Sequence, residues 1–248
     1  MLTRAMDITK EVPFITTGFE QQYLEVRERE LHHYTNEQVA FLPDIESAHP
    51  HYKEWQIRKR SYIRLVDHLK KKRKHLDILE VGCGNGWLSA KMVTIDNTTV
   101  TGTDINVTEL NQAKAVFGNT PNLQFACSDI RDKALADEQY DVIVFAASIS
   151  YLPSLQDILN VALKLLTENG EIHIIDSPLY NDENVANARQ RTKDYYVAMG
   201  LPEMTNLYFH HTIKELASFK YKTLYNPFSI SNKLLRRRHP FYWICVSN

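Results

Sequence analysis

Three of the chain's eight glycines stand at alternate positions in one short stretch, Glu80-Val81-Gly82-Cys83-Gly84-Asn85-Gly86. Glycine loses more backbone entropy on ordering than any other residue. Such a cluster therefore marks a sharp turn, or a place where a ligand must lie against bare backbone. The stretch follows a strand-like run, Leu76-Asp77-Ile78-Leu79, and precedes a helix-like Trp87-Leu88-Ser89-Ala90-Lys91-Met92-Val93. A glycine loop between strand and helix is the turn at the carboxyl edge of a wound sheet. There, helix N-terminal amides are available to a polar ligand.

The rest of the chain agrees with that placement. Strand patterns at 76–82, 98–105, 123–130, 140–148 and 171–178 alternate with helical ones. Asn106 opens one helix with Glu109 three residues on, as in a capping box. Another helix is expected from Ser154 to Gly170, with the glycine as a left-handed C-terminal cap. Right-handed βαβ crossovers then give a doubly wound α/β sheet, covered on both faces. Near the end, a helix at 212–219 and strands at 220–226 and 241–247 predict an antiparallel addition.

Residues 1–74 show no strand pattern. One helical stripe runs through Phe19, Tyr23 and Val26, and another through Trp55, Tyr62, Val66 and Leu69, with Pro50 near its start. We therefore expect an N-terminal helical cap over 1–74, a ligand-binding domain over 75–248, and an acceptor-side insertion at 180–211.

With 29 basic against 30 acidic residues, the net charge is −1, which speaks against affinity built on blanketing a polyanion. The run Lys70-Lys71-Lys72-Arg73-Lys74 reads as a solvated helix end, and Arg236-Arg237-Arg238 as solvated or as an anion contact. Cys83, Cys127 and Cys245 have neither disulfide nor metal spacing. His32-His33 and His210-His211 do not make a metal site as sequence neighbours, although one of them could serve as a base on the acceptor side. No signal peptide or spanning segment is visible, and the reading is soluble, cytoplasmic and free of metal.

The ligand is narrowed by what the loop lacks. A dinucleotide fingerprint places a third glycine at 87, which is Trp87, and no Gly-Lys-Ser/Thr follows to grip phosphates. Acids end the second and third strand patterns, Asp104 and Asp129. An acid in the first of these places can accept ribose hydroxyl protons, as it also does in a dehydrogenase.

Ile78-Leu79-Glu80-Val81-Gly82-Cys83-Gly84-Asn85-Gly86 resembles the first motif of class I S-adenosylmethionine-dependent methyltransferases, and the likeness extends from about residue 76 to 248. The resemblance is to the ubiquinone/menaquinone-type small-molecule subset. It implies a Rossmann-like seven-stranded sheet, mostly parallel, with one antiparallel strand near the edge. It also implies S-adenosylmethionine as cofactor, S-adenosylhomocysteine as product, and a small-molecule acceptor rather than nucleic acid.

By the same resemblance, Asp104 takes the ribose and Asp129 the adenine, and Ile105 and Ile130 belong to the cofactor site. The Gly82-Cys83-Gly84-Asn85-Gly86 loop, Glu80, and the backbone at Ala146 and Ala147 take the methionyl part. Cys83 is read as a small loop residue and not as a nucleophile. Tyr151 and Tyr180 are candidates to line the acceptor cavity, which Asp176-Ser177-Pro178-Leu179-Tyr180 would shape. The helix through Trp55 and Leu69 is expected to cross the cofactor site, with Arg58, Arg60 or Tyr62 near the methionyl carboxylate. A nicotinamide-dependent oxidoreductase and a methyltransferase fold without turnover are the alternatives.

Overall fold

The computed structural model describes residues 15–72, 74–132, 135, 137–230, 232 and 239–248. Helices α1 (Ile15–Arg29), α2 (Asn36–Phe41) and α3 (Tyr52–Lys70) precede a seven-stranded sheet. Its strands are β1 (Leu76–Val81), β2 (Thr98–Asp104), β3 (Leu123–Cys127), β4 (Tyr140–Ala146), β5 (Leu166–Ile175), β6 (Lys220–Tyr225) and β7 (Trp243–Ser247). They lie in the order β3-β2-β1-β4-β5-β7-β6. All pairs from β3 to β5 are parallel, while β7 runs antiparallel to both β5 and β6. The order reverses at β1, so the crevice outside its carboxyl end is the switch point at which wound sheets bind ligands. The expected fold class is the one observed.

Period-two alternation along β1 feeds two cores. Leu76 and Ile78 pack with α3 and with α4 (Trp87–Met92) on one face, whereas Leu79 and Val81 pack on the other with α6 (Leu155–Lys164). Because both faces are covered, the strand is apolar nearly throughout, and each fully buried leucine contributes about 1.5–3 kcal/mol. Glu80 follows the Leu76–Ile78 face and is therefore carried under α4.

Asn106 caps α5 (Val107–Phe117) as expected, its side chain accepting the Glu109 N–H at 3.0 Å. Three expectations need correction. The helix from Ser154 ends at Lys164, and Gly170 lies inside β5, not at a helix cap. The pairing of β4 with β5 slips between Tyr140 and Val142. A side chain at 170 would meet the Tyr140 carbonyl at 3.1 Å, so this glycine serves a close approach within the sheet. The 212–219 segment is a 3-10 helix, Ile213–Ser218, opened by a Thr212–Glu215 capping box. Finally, β3 stops at Cys127, which leaves Asp129 two residues past the strand. A helix that the pattern did not reveal, α7 (Asp182–Ala198), occupies most of the 180–211 segment.

Candidate active site

Gly82, Gly84 and Gly86 all have positive φ, at 73°, 52° and 76°. A Cβ at Gly82 would fall 2.5 Å from that of Ser148, and one at Gly84 would fall 2.5 Å from Oε2 of Glu109. At these two glycines the loop therefore passes between walls that leave no room for a side chain. It is tied down from both sides. Gly82 and Cys83 donate their N–H groups to the Thr103 carbonyl, and the Ser148 hydroxyl donates to Val81 at 2.6 Å.

Two acids flank this backbone. Asp104 accepts from the N–H of Gly84 at 2.7 Å and from that of Asn106 at 2.8 Å. Burial raises its carboxyl to about 6, helped by the charge of Glu109 and opposed by the backbone donors. Glu80 accepts from Ser89 and is buried at 2% exposure. Burial pushes its carboxyl up to about 8, with Asp104 adding to the effect, so it is largely protonated at neutral pH. Cys83 is buried and its thiol is raised well above the ordinary value by burial and by these acids, which removes it as a nucleophile.

A crevice of about 110 Å³ opens above the loop. Of the residues singled out in the sequence, Glu80, Gly82, Cys83, Gly84, Asn85, Ala146, Ala147, Tyr151 and Arg58 line it. Gly86, Asp104, Ile105, Asp129 and Ile130 do not. Gly86 is instead the left-handed N-cap of α4, and a Cβ there would enter the ring of Phe125 at 2.6 Å. Asp129 is held bidentately by Arg131 at 2.6 and 2.7 Å. Burial pulls its carboxyl upward, but the guanidinium outweighs that and holds it below the ordinary value.

Helix α3 borders the crevice. Trp55 and Arg58 line the crevice, with the guanidinium 5.3 Å from the indole centroid. Tyr62 instead packs edge-on against Trp87 at 6.1 Å, and Arg60 is absent from the lining. Trp87 is buried against Trp55 at 5.3 Å and forms part of the crevice wall. Tyr180 lies against His210 outside the crevice. His211 reaches the carbonyls of Ile149 and Leu152, and His210 the Thr192 hydroxyl at 2.8 Å, so neither faces the site. Asp176, at φ 53°, accepts from Ser61 beside a separate small pocket. The Arg236–Arg238 run lies outside the described residues.

Sequence reasoning missed the roof. Helix α1 brings Tyr23 and Arg27 over the loop, and Arg27 stands 3.7 Å from Glu109. Its Nε is buried without a hydrogen-bond partner. His32, Tyr34, Glu54 and Glu109 complete the lining. Tyr23 belongs to a recognised stripe, but nothing in the sequence ties that stripe to this edge.

A family model described as a methyltransferase domain matches residues 72–227. Malonyl-[acyl-carrier protein] O-methyltransferase 1 of Ilyobacter polytropus is 29% identical over 118 residues, which cover 47% of this chain and 44% of that protein. The chain thus matches less than half the length of this curated relative. Among solved structures, the plantazolicin methyltransferase BpumL, in complex with a triazolic desmethylPZN analog and SAH, superposes with a TM-score of 0.55 at 15% identity, covering 96% of this chain and 100% of that one. A putative sarcosine dimethylglycine methyltransferase from Galdieria sulphuraria gives a TM-score of 0.57 at 12% identity, covering 78% of this chain and 86% of that one. Among the described residues, no helix is long and apolar enough to cross a membrane.

Proposed function

Since the chain belongs to the methyltransferase-domain family, we propose that it transfers the methyl group of S-adenosylmethionine to a small-molecule acceptor in this crevice. The observation that carries the reading is the pair of carboxyls raised by their surroundings, the buried Glu80 and the half-buried Asp104, set on either side of a loop in which every second residue is glycine. Their burial is costly unless a cationic, hydroxyl-rich partner repays it. The Nε of Arg27, 3.7 Å from Glu109 but without a hydrogen bond, is placed to hold an anion as well. An amino-acid-bearing nucleoside offers ammonium, carboxylate and ribose hydroxyls together, so the residues present fit it.

In this reading, Asp104 accepts from the ribose, Glu80 faces the methionyl ammonium, and Arg27 with Arg58 holds the carboxylate. Asp129 takes the adenine after exchanging its Arg131 contact. Residues 1–74 act as a cap. The sulfonium supplies a methyl group that needs no further activation. What the chain provides is placement: Tyr23 of α1 and Tyr151 exclude water, and the loop fixes the donor. Proximity of this kind lowers a barrier by about 7–11 kcal/mol.

Calorimetry with S-adenosylhomocysteine tests the cofactor site, and labelled S-adenosylmethionine in a metabolite extract tests turnover. No binding of S-adenosylhomocysteine overturns the reading. Binding without any labelled product reduces the protein to a sensor or partner.

A further inference from the structure

Beside the crevice, two histidines and a glutamate from distant parts of the chain converge. His32 follows α1, His51 caps α3, and Glu54 lies in the first turn of α3. One ligating atom from each lies within 4.8 Å of the others. Nε2 of His32 is 3.0 Å from Oε2 of Glu54, and Nδ1 of His51 is 3.8 Å from the same oxygen. Metal bonds of about 2.0–2.2 Å at tetrahedral angles separate ligand atoms by roughly 3.3–3.6 Å. The triad brackets that spacing.

The far side of each ring fixes which nitrogen carries the proton. Nδ1 of His32 faces the Glu30 carboxylate at 3.0 Å, and Nε2 of His51 faces the Glu30 carbonyl at 2.8 Å. Both acceptors require an N–H. His51 Nδ1 keeps its lone pair toward Glu54, whereas His32 Nε2 donates to Glu54 at 3.0 Å. An ion would displace that one proton and leave His32 neutral, its other nitrogen still bonded to Glu30 in the outer-shell arrangement that metal-bound histidines show. Arg58 holds Oε1 of Glu54 at 2.9 Å and leaves Oε2 to the centre of the group.

A second cluster lacks this logic. In His68, Glu171 and His173, the indole N–H of Trp243 donates to Nδ1 of His173 at 3.1 Å, so the proton of that ring sits on Nε2. Nε2 lies 3.3 Å from Glu171, which already holds Lys72 at 2.9 Å. With Nδ1 already accepting, the His173 ring cannot shed its Nε2 proton and stay neutral, so it offers an ion no lone pair.

We propose that His32, His51 and Glu54 form a site for a divalent first-row transition ion, with Zn²⁺ the ion best suited to two imidazoles and a carboxylate. Three protein ligands leave a fourth position open, and His32 and Glu54 both line the crevice. On the methyltransferase reading, that position opens into the crevice, and a ligand oxygen bound there loses its proton more easily. Coordination requires the two rings, now stacked at 3.7 Å with 26° between their planes, to splay so that both planes contain the ion.

The test uses tag-free, chelator-treated protein titrated with Co²⁺. We expect one Co²⁺ per chain with the visible absorption of a tetrahedral site, displaced by Zn²⁺. Affinity should fall at least tenfold in His51→Ala and in Glu54→Gln, and should be unchanged in His68→Ala, with folding checked by circular dichroism. Absence of a tetrahedral spectrum overturns the proposal, as does binding that survives both substitutions or depends on His68. Calorimetry of the metal-free protein with S-adenosylhomocysteine separates the two readings: cofactor binding without cobalt binding removes the metal site and leaves the methyltransferase, and the converse does the opposite.

Discussion

The backbone N–H of Gly84 donates to Oδ2 of Asp104 at 2.7 Å, tying the middle of the glycine loop to the end of β2. Oδ1 of the same carboxylate accepts from Asn106, which caps α5. One side chain thus orients the loop, the strand end and a helix start. A ligand hydroxyl reaching Asp104 finds an acceptor that is already held in place.

Asp104→Ala should therefore weaken S-adenosylhomocysteine binding about 10- to 100-fold, since hydrogen bonds to a charged group are worth about 1.5–3 kcal/mol each. Asp104→Asn keeps one acceptor oxygen without the charge and should fall between that variant and the wild type. Titration calorimetry checks both, and unchanged affinity in Asp104→Ala removes the ribose assignment.

The buried carboxyl of Glu80 gives a pH signature. Its folded value, about 8, lies above its ordinary value of 4.5 because of burial. The folded state therefore binds the extra proton, and this group's stabilisation is complete below about pH 4.5 and is lost as pH rises toward 8. A ligand ammonium beside it would expel that proton. Near pH 7, S-adenosylhomocysteine binding should release protons, seen as enthalpies that differ between buffers of unlike ionisation heat. Glu80→Gln should abolish the difference. Equal enthalpies in the wild type would place the ammonium elsewhere.

The legible part of this chain is local. β1, the glycine loop and α4 are contiguous, and period-two burial with left-handed glycines leaves its mark directly in residue types. Asn106 and Asp104 are readable for the same reason. Gly170 misleads because a glycine after a helical pattern looks the same whether it caps a helix or relieves a crowded strand pair. The crevice roof is hidden because Arg27 and Glu109 are 82 positions apart by their numbers and meet only through the packing of α1 on α5. The triad of His32, His51 and Glu54 is hidden likewise, since adjacent histidines draw attention to the wrong partner.

Two glycines should respond in opposite directions to alanine. At Gly86, φ is 76° and a Cβ would meet the Phe125 ring at 2.6 Å. Strain of about 1–3 kcal/mol and comparable overpacking should lower the Tm of Gly86→Ala by several degrees, at about 2–4 °C per kcal/mol. Gly18 lies in α1, and a methyl group added there would have nothing within 4 Å. Gly18→Ala should stabilise by about 0.5–1 kcal/mol, the helix cost of glycine. Scanning calorimetry of both variants distinguishes close approach from simple helix propensity, and a stable Gly86→Ala would contradict the packing at the N-cap of α4.

The roof makes the last prediction. The crevice holds about 110 Å³, below the roughly 300–1,000 Å³ of small-molecule sites, so a nucleoside must displace a wall. Helix α1 forms one such wall: Tyr23 meets Tyr151 edge-on at 5.4 Å, Arg27 approaches Glu109 at 3.7 Å, and Arg29 holds the Met199 carbonyl. If Arg27 turns to a ligand carboxylate as the helix moves, Arg27→Gln should weaken S-adenosylhomocysteine about tenfold or more. It should leave unchanged the affinity for 5′-methylthioadenosine, which lacks the amino-acid carboxylate. Hydrogen exchange in α1 should slow with the first ligand more than with the second. Equal losses for both ligands would make Arg27 a structural support of the roof, and an unaltered S-adenosylhomocysteine affinity would leave the carboxylate to Arg58.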